Sequence, residues 1–503
     1  MSFTSEQKSS LKVEHEAVDR TRFDLLRVPL VGSFLRWRWS RVALQIPLLL
    51  IGIVMIGHGL FGPDLAPKNL AALLTWVHYR GLVVLVLLLG GNFFCMACPF
   101  MLPREIARRA FSPKWDFPPW LRNKWPAVIS FVGVLFAYEL FDLWGDPWWT
   151  GILILGYFAI AIGVDAIFKR ASFCKFVCPI GQFNFLASAM SPLEVSVVNQ
   201  NQCTQCETKD CIRGRVGTSD AESGSTGNSL PIVQRGCELA LFQPRKKGNL
   251  DCTFCLDCVY ACPHNNVGIH SRLPGEELID DKARSGIGSL NHRSDWAALT
   301  IVFVFGSLLN AFAMVSPVYA LEQSISRMTG LVVEWPILGM LFLGALVLEP
   351  LVLLGGAALA TRYWGERQAT LMETVNSFSR SLIPLGFGVW LAHYGFHFFT
   401  GALTFVPVLQ LAARDLVGSP ILGAPQWQLG GLPERFVYPM EIGFLVLGLL
   451  GSLMVAWCIA ERFAPRKVIG AFLPWGIVSV ILFTTACWIL SQPMDMRGTF
   501  LGG

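Results

Sequence analysis

The stretch GLVVLVLLLGGNFFCMACPF, from Gly81 to Phe100, decides the architecture of the chain because an apolar run leads directly into a pair of cysteines. Its segment 81–98 carries no charged side chain and approaches the ~20 residues that cross the hydrocarbon of a bilayer. Cys95 and Cys98 stand at its far end, and a proline follows. The stretch therefore predicts a transmembrane helix that delivers two thiols to one face of a membrane.

The rest of the chain has the composition of a membrane protein. Its 503 residues are 53% hydrophobic and only 15% charged, whereas a soluble domain carries about a quarter charged residues. Apolar segments long enough to span a bilayer are 42–61, 81–98, 126–141, 148–168, 295–317, 333–360, 381–407, 439–461 and 468–490. The sequence thus predicts an α-helical polytopic membrane protein with about nine transmembrane helices in contact with membrane lipid.

Positive charge predicts the orientation, because the cytoplasmic connections of membrane proteins are enriched in Lys and Arg. With the N-terminus inside, 34 of the 40 Lys and Arg residues fall in cytoplasmic segments. Nine spans then put the C-terminus outside. The residues before the first apolar run are polar, so that run is expected to be an uncleaved anchor in the inner membrane.

Four regions are expected along the chain. They are a cytoplasmic tail at 1–41, a four-helix membrane domain at 42–198, a cytoplasmic block at 199–294 and a five-helix membrane domain at 295–503. Basic residues form no continuous stripe, so nucleic acid is not expected as a partner.

The cytoplasmic block carries two groups of cysteines. The second group, CTFCLDCVYACP at 252–263, has the bacterial ferredoxin spacing, in which the fourth cysteine ligates the other cluster of a pair. We therefore expect two [4Fe–4S] clusters in an inserted ferredoxin-like domain. One is held by Cys203, Cys206, Cys211 and Cys262, and the other by Cys237, Cys252, Cys255 and Cys258. Structural zinc is the alternative for spaced cysteines, and disulfides are disfavoured on a reducing cytoplasmic face.

Two further pairs, Cys95 with Cys98 and Cys174 with Cys178, end in Cys-Pro at the cytoplasmic ends of helices. Basic residues flank both pairs, and positive charge lowers the pKa of a thiol. Because both pairs lie at the same membrane depth, their four thiols are expected to converge. Three alternatives stay open: a third cluster or metal site bridging two helices, a redox-active dithiol relay, and cysteines that only pack.

The cysteine–proline motifs followed by a two-cluster block resemble the NapH-, NosR- and CcoG-type membrane ferredoxins over residues 42–270. The stretch TWVHYRGLVVLVLLLGGNFFCMACPFMLPR at 75–104 is similar to the FesM subgroup. The resemblance implies electron transfer between the quinone pool, or other donors, and a respiratory or metal-handling partner protein. Three features depart from the family. The first motif is C-x2-C-P rather than C-x3-C-P, no flavin-binding outer domain is expected before the first helix, and the C-terminal region is five apolar spans rather than an immunoglobulin-like domain.

Ionisable residues within the spans mark a second region of interest, because burying them in lipid is costly. Four histidines are expected in the outer half of the membrane, opposite the cysteines; they are His58, His78, His393 and His397. A b-type haem, a quinone or proton-transfer site, and hydrogen-bonded packing all remain open for them. Asp165 falls near the inner end of a span, where we expect it to be solvated.

The sequence as a whole predicts a membrane-bound component of an oxidoreductase. It would move electrons between cytoplasmic [4Fe–4S] clusters and a quinone or haem site in the membrane, or a respiratory partner. The alternative is a metal-handling or assembly factor, whose Cys-Pro thiols reduce or carry copper or iron for a respiratory oxidase or reductase.

Overall fold

The computed structural model describes residues 22–217 and 232–494, which are mostly helical. Eight helices in that part of the chain are long and apolar enough to cross a membrane. They are Ser40–Phe61, Leu70–Gly90, Pro147–Ile167, Ser294–Phe312, Glu334–Trp364, Leu371–Thr400, Glu434–Phe463 and Val468–Leu490. The prediction of a helical polytopic membrane protein is confirmed at this level.

The third predicted span is shorter than the others. Its helix, Trp125–Leu140, has 16 residues, fewer than the ~20 that cross a bilayer. Pro126 lies in its first turn, where a missing backbone N–H is harmless. The described part of the chain therefore has eight helices long enough to span a bilayer and one shorter apolar helix, rather than nine full-length spans.

The second span lies earlier in the chain than the sequence predicted. It runs over Leu70–Gly90 instead of 81–98, and its Leu74–Tyr79 part is a π-helical turn. Gly91 follows the helix with a φ of 82°, a conformation that side chains disfavour. The chain then turns into a separate short helix that carries Cys95. Hydropathy alone concealed this break, because the glycines at the turn are not polar.

Two helices form the centre of the membrane part. In the most apolar stretch of each helix, 83% of the residues are buried in Ser294–Phe312 and 78% in Leu371–Thr400, but only 17% in Ser40–Phe61. A methyl group on Gly388 would stand 2.7 Å from the carbonyl oxygen of Phe444 in the neighbouring helix, so only glycine allows this contact. The central position of Leu371–Thr400 matters because this helix carries two of the intramembrane histidines.

The polar block contains short elements. Leu193–Val197 pairs antiparallel with Val267–Ser271, and Arg215–Val216 pairs antiparallel with Ile232–Gln234. The shorter helices of the described chain are Pro29–Arg36, Phe93–Met96, Met101–Phe111, Trp125–Leu140, Pro179–Ala187, Gln200–Gln205, Asp210–Arg213, Asp257–Ala261, Glu276–Ile279, Pro317–Thr329 and Phe405–Val417. The remaining chain of the block is mostly loop, which is the setting in which closely spaced cysteines can turn towards one another.

Specific contacts dock the block on the membrane helices. The ring of Phe254, a buried block residue, lies 5.5 Å from the ring of Phe93. Asn92 Nδ2 donates a hydrogen bond to the carbonyl oxygen of Cys252 at 2.9 Å. Residues 1–21 of the predicted tail lie outside the described residues, but Arg41 pairs with the block at Asp257 over 3.1 Å. The block is therefore packed directly against the ends of the spans.

Candidate functional site

Four thiols line one small cavity where the spans meet the block. They belong to Cys95, Cys98, Cys174 and Cys178, and the cavity measures about 30 Å³. Organic ligands occupy pockets of roughly 300–1,000 Å³, so this cavity is far too small for a quinone ring. The expected convergence of the two Cys-Pro pairs is present in the fold. We call this region the thiol end of the helices.

Local backbone structure positions each of these thiols. The glycine turn after the second span places Cys95 in the Phe93–Met96 helix. Cys174 lies in the π-helical turn Phe173–Val177. Cys178 caps the following helix, and its Sγ accepts a hydrogen bond from the backbone N–H of Gly181 at 3.2 Å. The residues that follow each Cys-Pro step also line the cavity; they are Phe100, Met101, Ile180 and Gly181.

Buried polar donors point at two more of the sulfur atoms. Arg104 Nη1 lies 3.0 Å from Cys174 Sγ, and Asn184 Nδ2 lies 3.3 Å from Cys95 Sγ. Both donor residues are almost fully buried. Hydrogen bonds from N–H groups favour the charged form of a thiol, so the site is built to receive negative sulfur.

Burial nevertheless dominates the acidity of these thiols while no ligand binds them. It raises the pKa of Cys98 to about 12. It also raises the pKa of Cys174 to about 11, although the charge of Arg104 acts in the opposite direction. The basic residue Arg104 lowers the thiol pKa as expected, but burial outweighs it, so the pKa of Cys98 and of Cys174 lies above the usual value. A free dithiol at this site would be protonated at neutral pH.

A buried ion network surrounds Arg104. Its guanidinium lies 3.1 Å from Asp165 and 3.0 Å from Glu238. Glu238 also pairs with Arg108 at 2.8 Å. Burial pushes the pKa of Glu238 upwards, but the charges of Arg104 and Arg108 outweigh it and hold that pKa at about 2.

Asp165 is the acidic residue that we expected to be solvated, and that prediction is wrong. Its side chain is fully buried, and Arg104 neutralises its charge. Its other oxygen accepts a hydrogen bond from the N–H of Phe173 at 3.0 Å, which fixes the start of the turn that carries Cys174. Sequence position near a helix end could not reveal this, because the partner comes from another segment.

The structure brings together the first set of block cysteines. The thiol of Cys211 lies within electrostatic range of Cys203, Cys206 and Cys262, and burial raises its pKa to about 11. Asn266 links two members of the set: its Nδ2 lies 3.2 Å from Cys203 Sγ and its backbone N lies 3.4 Å from Cys262 Sγ. Cys262, distant in the chain from the other three, is thus held beside them.

The second set is also assembled. Cys237 lies within electrostatic range of Cys252, Cys255 and Cys258. Its sulfur accepts a hydrogen bond from the backbone N–H of Leu241 at 3.4 Å. Burial raises the pKa of Cys237 to about 11.

None of the three sets is closed around a single ion. Among residues 22–217 and 232–494, no group of three or more His, Cys, Asp or Glu side chains is arranged to hold one metal ion, and every cysteine is free. The thiols of each set are neighbours, and donors point at their sulfurs. This chemistry fits a group that several thiolates share, as an iron–sulfur cluster is shared, with N–H bonds to its sulfurs.

Short connections join the thiol cavity to the second block set. Glu238, which pairs with Arg104 at the cavity, directly follows Cys237. Thr253, which lines the cavity, directly follows Cys252. The two thiol sets are therefore adjacent across the junction of block and membrane.

The histidine end, at the opposite ends of these spans, is organised differently. His58 and His78 bond to the backbone: His58 Nδ1 accepts from the N–H of Leu70 at 3.1 Å, and the ring nitrogens of His78 lie 3.4 and 3.3 Å from carbonyl oxygens. His393 Nε2 lies 3.1 Å from a methionine sulfur. The Nε2 atom of His397 is buried and has no hydrogen-bond partner among the described residues.

Arg80 is a residue of this end that sequence reasoning missed. It is only 8% exposed, and its guanidinium lies over the rings of Trp76, Tyr138 and Tyr394 at 4.2, 4.5 and 4.8 Å. Among the described residues it makes no ion pair, and its Nη1 atom lacks a hydrogen-bond partner. Because the second span was expected to begin at residue 81, Arg80 seemed to lie outside the membrane. A charged residue within an apolar run was the available signal.

Comparison with known proteins identifies no relative. No family model, no curated protein and no solved structure matches the chain. The resemblance to membrane ferredoxins therefore remains an expectation that rests on the cysteine motifs.

Proposed function

We propose that the chain is an integral membrane iron–sulfur protein that transfers electrons between clusters of its polar block and a redox partner in the membrane. The observation that carries the proposal is the grouping of the eight block thiols into two sets of four. Cys262 stands with the first set although its sequence neighbours belong to the second, as in ferredoxins with two clusters. Each set would hold one [4Fe–4S] cluster, which supplies reversible one-electron chemistry.

The excess of positive charge supports a cytoplasmic position for the block. In the inner membrane, the thiol end would then face the cytoplasm and the histidine end the outside. The protein would serve as an electron-transferring component of an oxidoreductase, in contact with membrane lipid, the quinone pool and a respiratory partner protein.

A quinone is the membrane partner we favour at the histidine end. Haem b needs two opposed axial ligands, but His58 and His78 bond to the backbone, and His393 and His397 share one turn of one helix. In the described part of the chain, the buried atoms Arg80 Nη1 and His397 Nε2 have no hydrogen-bond partner, which suits them to the oxygens of a quinone.

Tyr79 offers a connection between the two ends of the membrane part. It lines the thiol cavity, and the next residue, Arg80, belongs to the histidine end. Tyr79 also lies within electrostatic range of Tyr394, whose ring contacts Arg80.

Anaerobic purification of the full chain in detergent tests the proposal. Iron and acid-labile sulfide counts of at least about eight each, with the EPR signals of reduced cubanes, are expected, because two clusters account for about eight of each. A haem spectrum tests the alternative membrane cofactor. Cys262→Ser should damage the cluster of Cys203 more than that of Cys252. The control is Cys458→Ser, which lies in the membrane helix Glu434–Phe463 outside both sets and should leave both clusters intact. A protein without iron and sulfide would contradict the proposal.

A metal-handling or assembly factor is the second candidate, favoured by the four-thiol cavity of Cys95 and its neighbours. In that case a Cys95→Ala, Cys98→Ala variant would retain quinol-linked electron flow while a respiratory enzyme loses copper or iron. If electron flow stops and the metal content of that enzyme is unchanged, this candidate is wrong.

A further inference from the structure

The four-thiol cavity differs from a packed group of cysteines in how its sulfurs are held. Cys95, Cys174 and Cys178 each accept a hydrogen bond from a donor that is fixed by the fold. A disulfide sulfur carries no charge and gains little from such donors, whereas a metal-bound thiolate is negative and gains more. The arrangement favours thiolate ligands over a dithiol relay.

The size and position of the cavity point in the same direction. About 30 Å³ leaves room for inorganic atoms between the thiols and excludes an organic cofactor. Among the described residues, no three of these groups are placed around one ion. A cluster, in which each thiolate binds a different metal atom, needs no such close approach.

We propose that Cys95, Cys98, Cys174 and Cys178 hold a third iron–sulfur cluster, and that Arg104 and Glu238 together set its reduction potential. The inference rests on the proposed function, because the third cluster would exchange electrons with the cluster of the neighbouring Cys237 set. Arg104 is a positioning residue: it holds the Cys174 sulfur at 3.0 Å and is itself held by two carboxylates.

Charge explains why the two residues act in opposite directions. Reduction adds one negative charge to a cluster, so a buried cation beside a ligand sulfur favours the reduced form. Glu238 lies 3.0 Å from the same cation and cancels part of its effect. Because Arg104 is 1% exposed, water screens these charges little.

The site itself is tested by iron counting. The whole protein, purified anaerobically, should carry about twelve irons, and a Cys98→Ser, Cys178→Ser variant about eight, with the EPR signals of the two block clusters retained. Equal iron counts in the two proteins would overturn the third cluster. A protein without any iron would instead contradict the proposed function, so the two failures are distinct.

The role of Arg104 is tested by redox titration of the third cluster, with dithionite as reductant and ferricyanide as oxidant. Arg104→Gln should lower the midpoint potential of the third cluster. At a fixed solution potential, the ratio of reduced to oxidised cluster should then fall about tenfold, which corresponds to a shift of about 59 mV for one electron. Arg104→Lys keeps the positive charge and should therefore keep the midpoint potential close to that of the unmodified protein. Glu238→Gln should raise the midpoint potential.

Arg109→Gln is the matched control, since its side chain is 76% exposed and its partner is the partly exposed residue Glu105. It should leave the potential unchanged. If Arg104→Gln loses the cluster, the lysine variant and Glu238→Gln still decide the question. Shifts of the same sign in Arg104→Gln and Glu238→Gln, or no shift in Glu238→Gln with the cluster retained, would refute the electrostatic role.

Discussion

The two ends of the membrane part differ in the partners of their buried arginines. At the thiol end and in the block, Arg104 and Arg272 each meet a carboxylate within about 3 Å. At the histidine end, Arg80 meets aromatic rings and makes no ion pair among the described residues. A cation with permanent partners fixes a structure, whereas one without them keeps its charge available for a ligand. In the proposed function, the thiol end accordingly holds a permanent group and the histidine end an exchangeable one.

The largest effect is expected from Arg272→Met in the block. Arg272 pairs with Glu277 at 2.7 Å and donates to the carbonyl oxygens of Ser188, Ala189 and Ser191. Removing it leaves a buried carboxylate and several carbonyl groups with fewer donors, so the free energy of unfolding should fall by about 3–5 kcal/mol. Thermal unfolding in detergent, followed by circular dichroism, measures the change.

The control is Arg109→Met, which removes an exposed arginine of a surface pair. Such pairs contribute about 0–1 kcal/mol, so its melting temperature should stay close to that of the unmodified protein. Equal losses in Arg272→Met and Arg109→Met would show that the buried ion pairs of this end do not fix the block.

Acid should weaken the same contact by a smaller amount, because protonation leaves the side chain in place. Burial raises the pKa of Glu277, but Arg272 and Arg284 outweigh it, so that pKa lies below the usual 4.5. A depressed carboxyl pKa stabilises the fold above the unfolded value, and this stabilisation is lost as the pH falls below about 4.5. Melting temperatures of the protein and of Glu277→Gln should approach each other below pH 4.5 and converge once the pH falls through the depressed pKa of Glu277. A gap that persists at low pH would contradict this assignment.

Gly388→Ala probes the helix that carries the histidines. The added methyl group would stand 2.7 Å from the carbonyl oxygen of Phe444. Overpacking of this kind costs about 1–3 kcal/mol, and the helix contact should loosen at the histidine end. Gly443→Ala serves as the control, because its methyl group would have no neighbour within 4 Å among residues 22–217 and 232–494. If both variants unfold at the same temperature, the close contact of the two helices is not important for stability.

The cysteine sets and Arg80 mark what sequence can and cannot predict here. Spacing assigned Cys262 to the set of Cys203 and Cys211, and the fold holds it there, where Asn266 contacts both Cys262 and Cys203. Hydropathy also located most spans, since lipid requires long apolar helices. Both signals are local, so one sequence is sufficient to detect them.

Arg80 and Asp165 were misjudged for the opposite reason. Both lie near apparent span ends, where sequence reasoning assigns charge to water. Two of the three rings around Arg80, those of Tyr138 and Tyr394, come from segments distant in the chain, as does the buried guanidinium that meets Asp165. Only packing brings these groups together. The same holds for the break after Gly90, which moved the second span and carried Arg80 inside it.

The smallest effect on stability, and the sharpest test of the comparison, is expected from Arg80→Met. The change removes contacts with aromatic rings, worth about 0.5–2 kcal/mol each. It also removes a buried charge that has no ion-pair partner in the described part of the chain and costs free energy to hold. The two contributions oppose each other, so the free energy of unfolding should change by only about 1 kcal/mol. Quinol-linked reduction of the clusters should nevertheless fall at least about tenfold, the equivalent of ~1.4 kcal/mol of lost binding.

The same Arg-to-Met change at the two ends therefore separates stability from function. Arg272→Met should lower the melting temperature, so that any loss of the quinol reaction follows from the loss of stability. Arg80→Met should lose the reaction while its melting temperature stays nearly unchanged. A strongly destabilised Arg80→Met variant would mean that the rings around Arg80 hold a structural cation. Stability measured without quinone falls strongly only if the fold itself depends on the charge of Arg80.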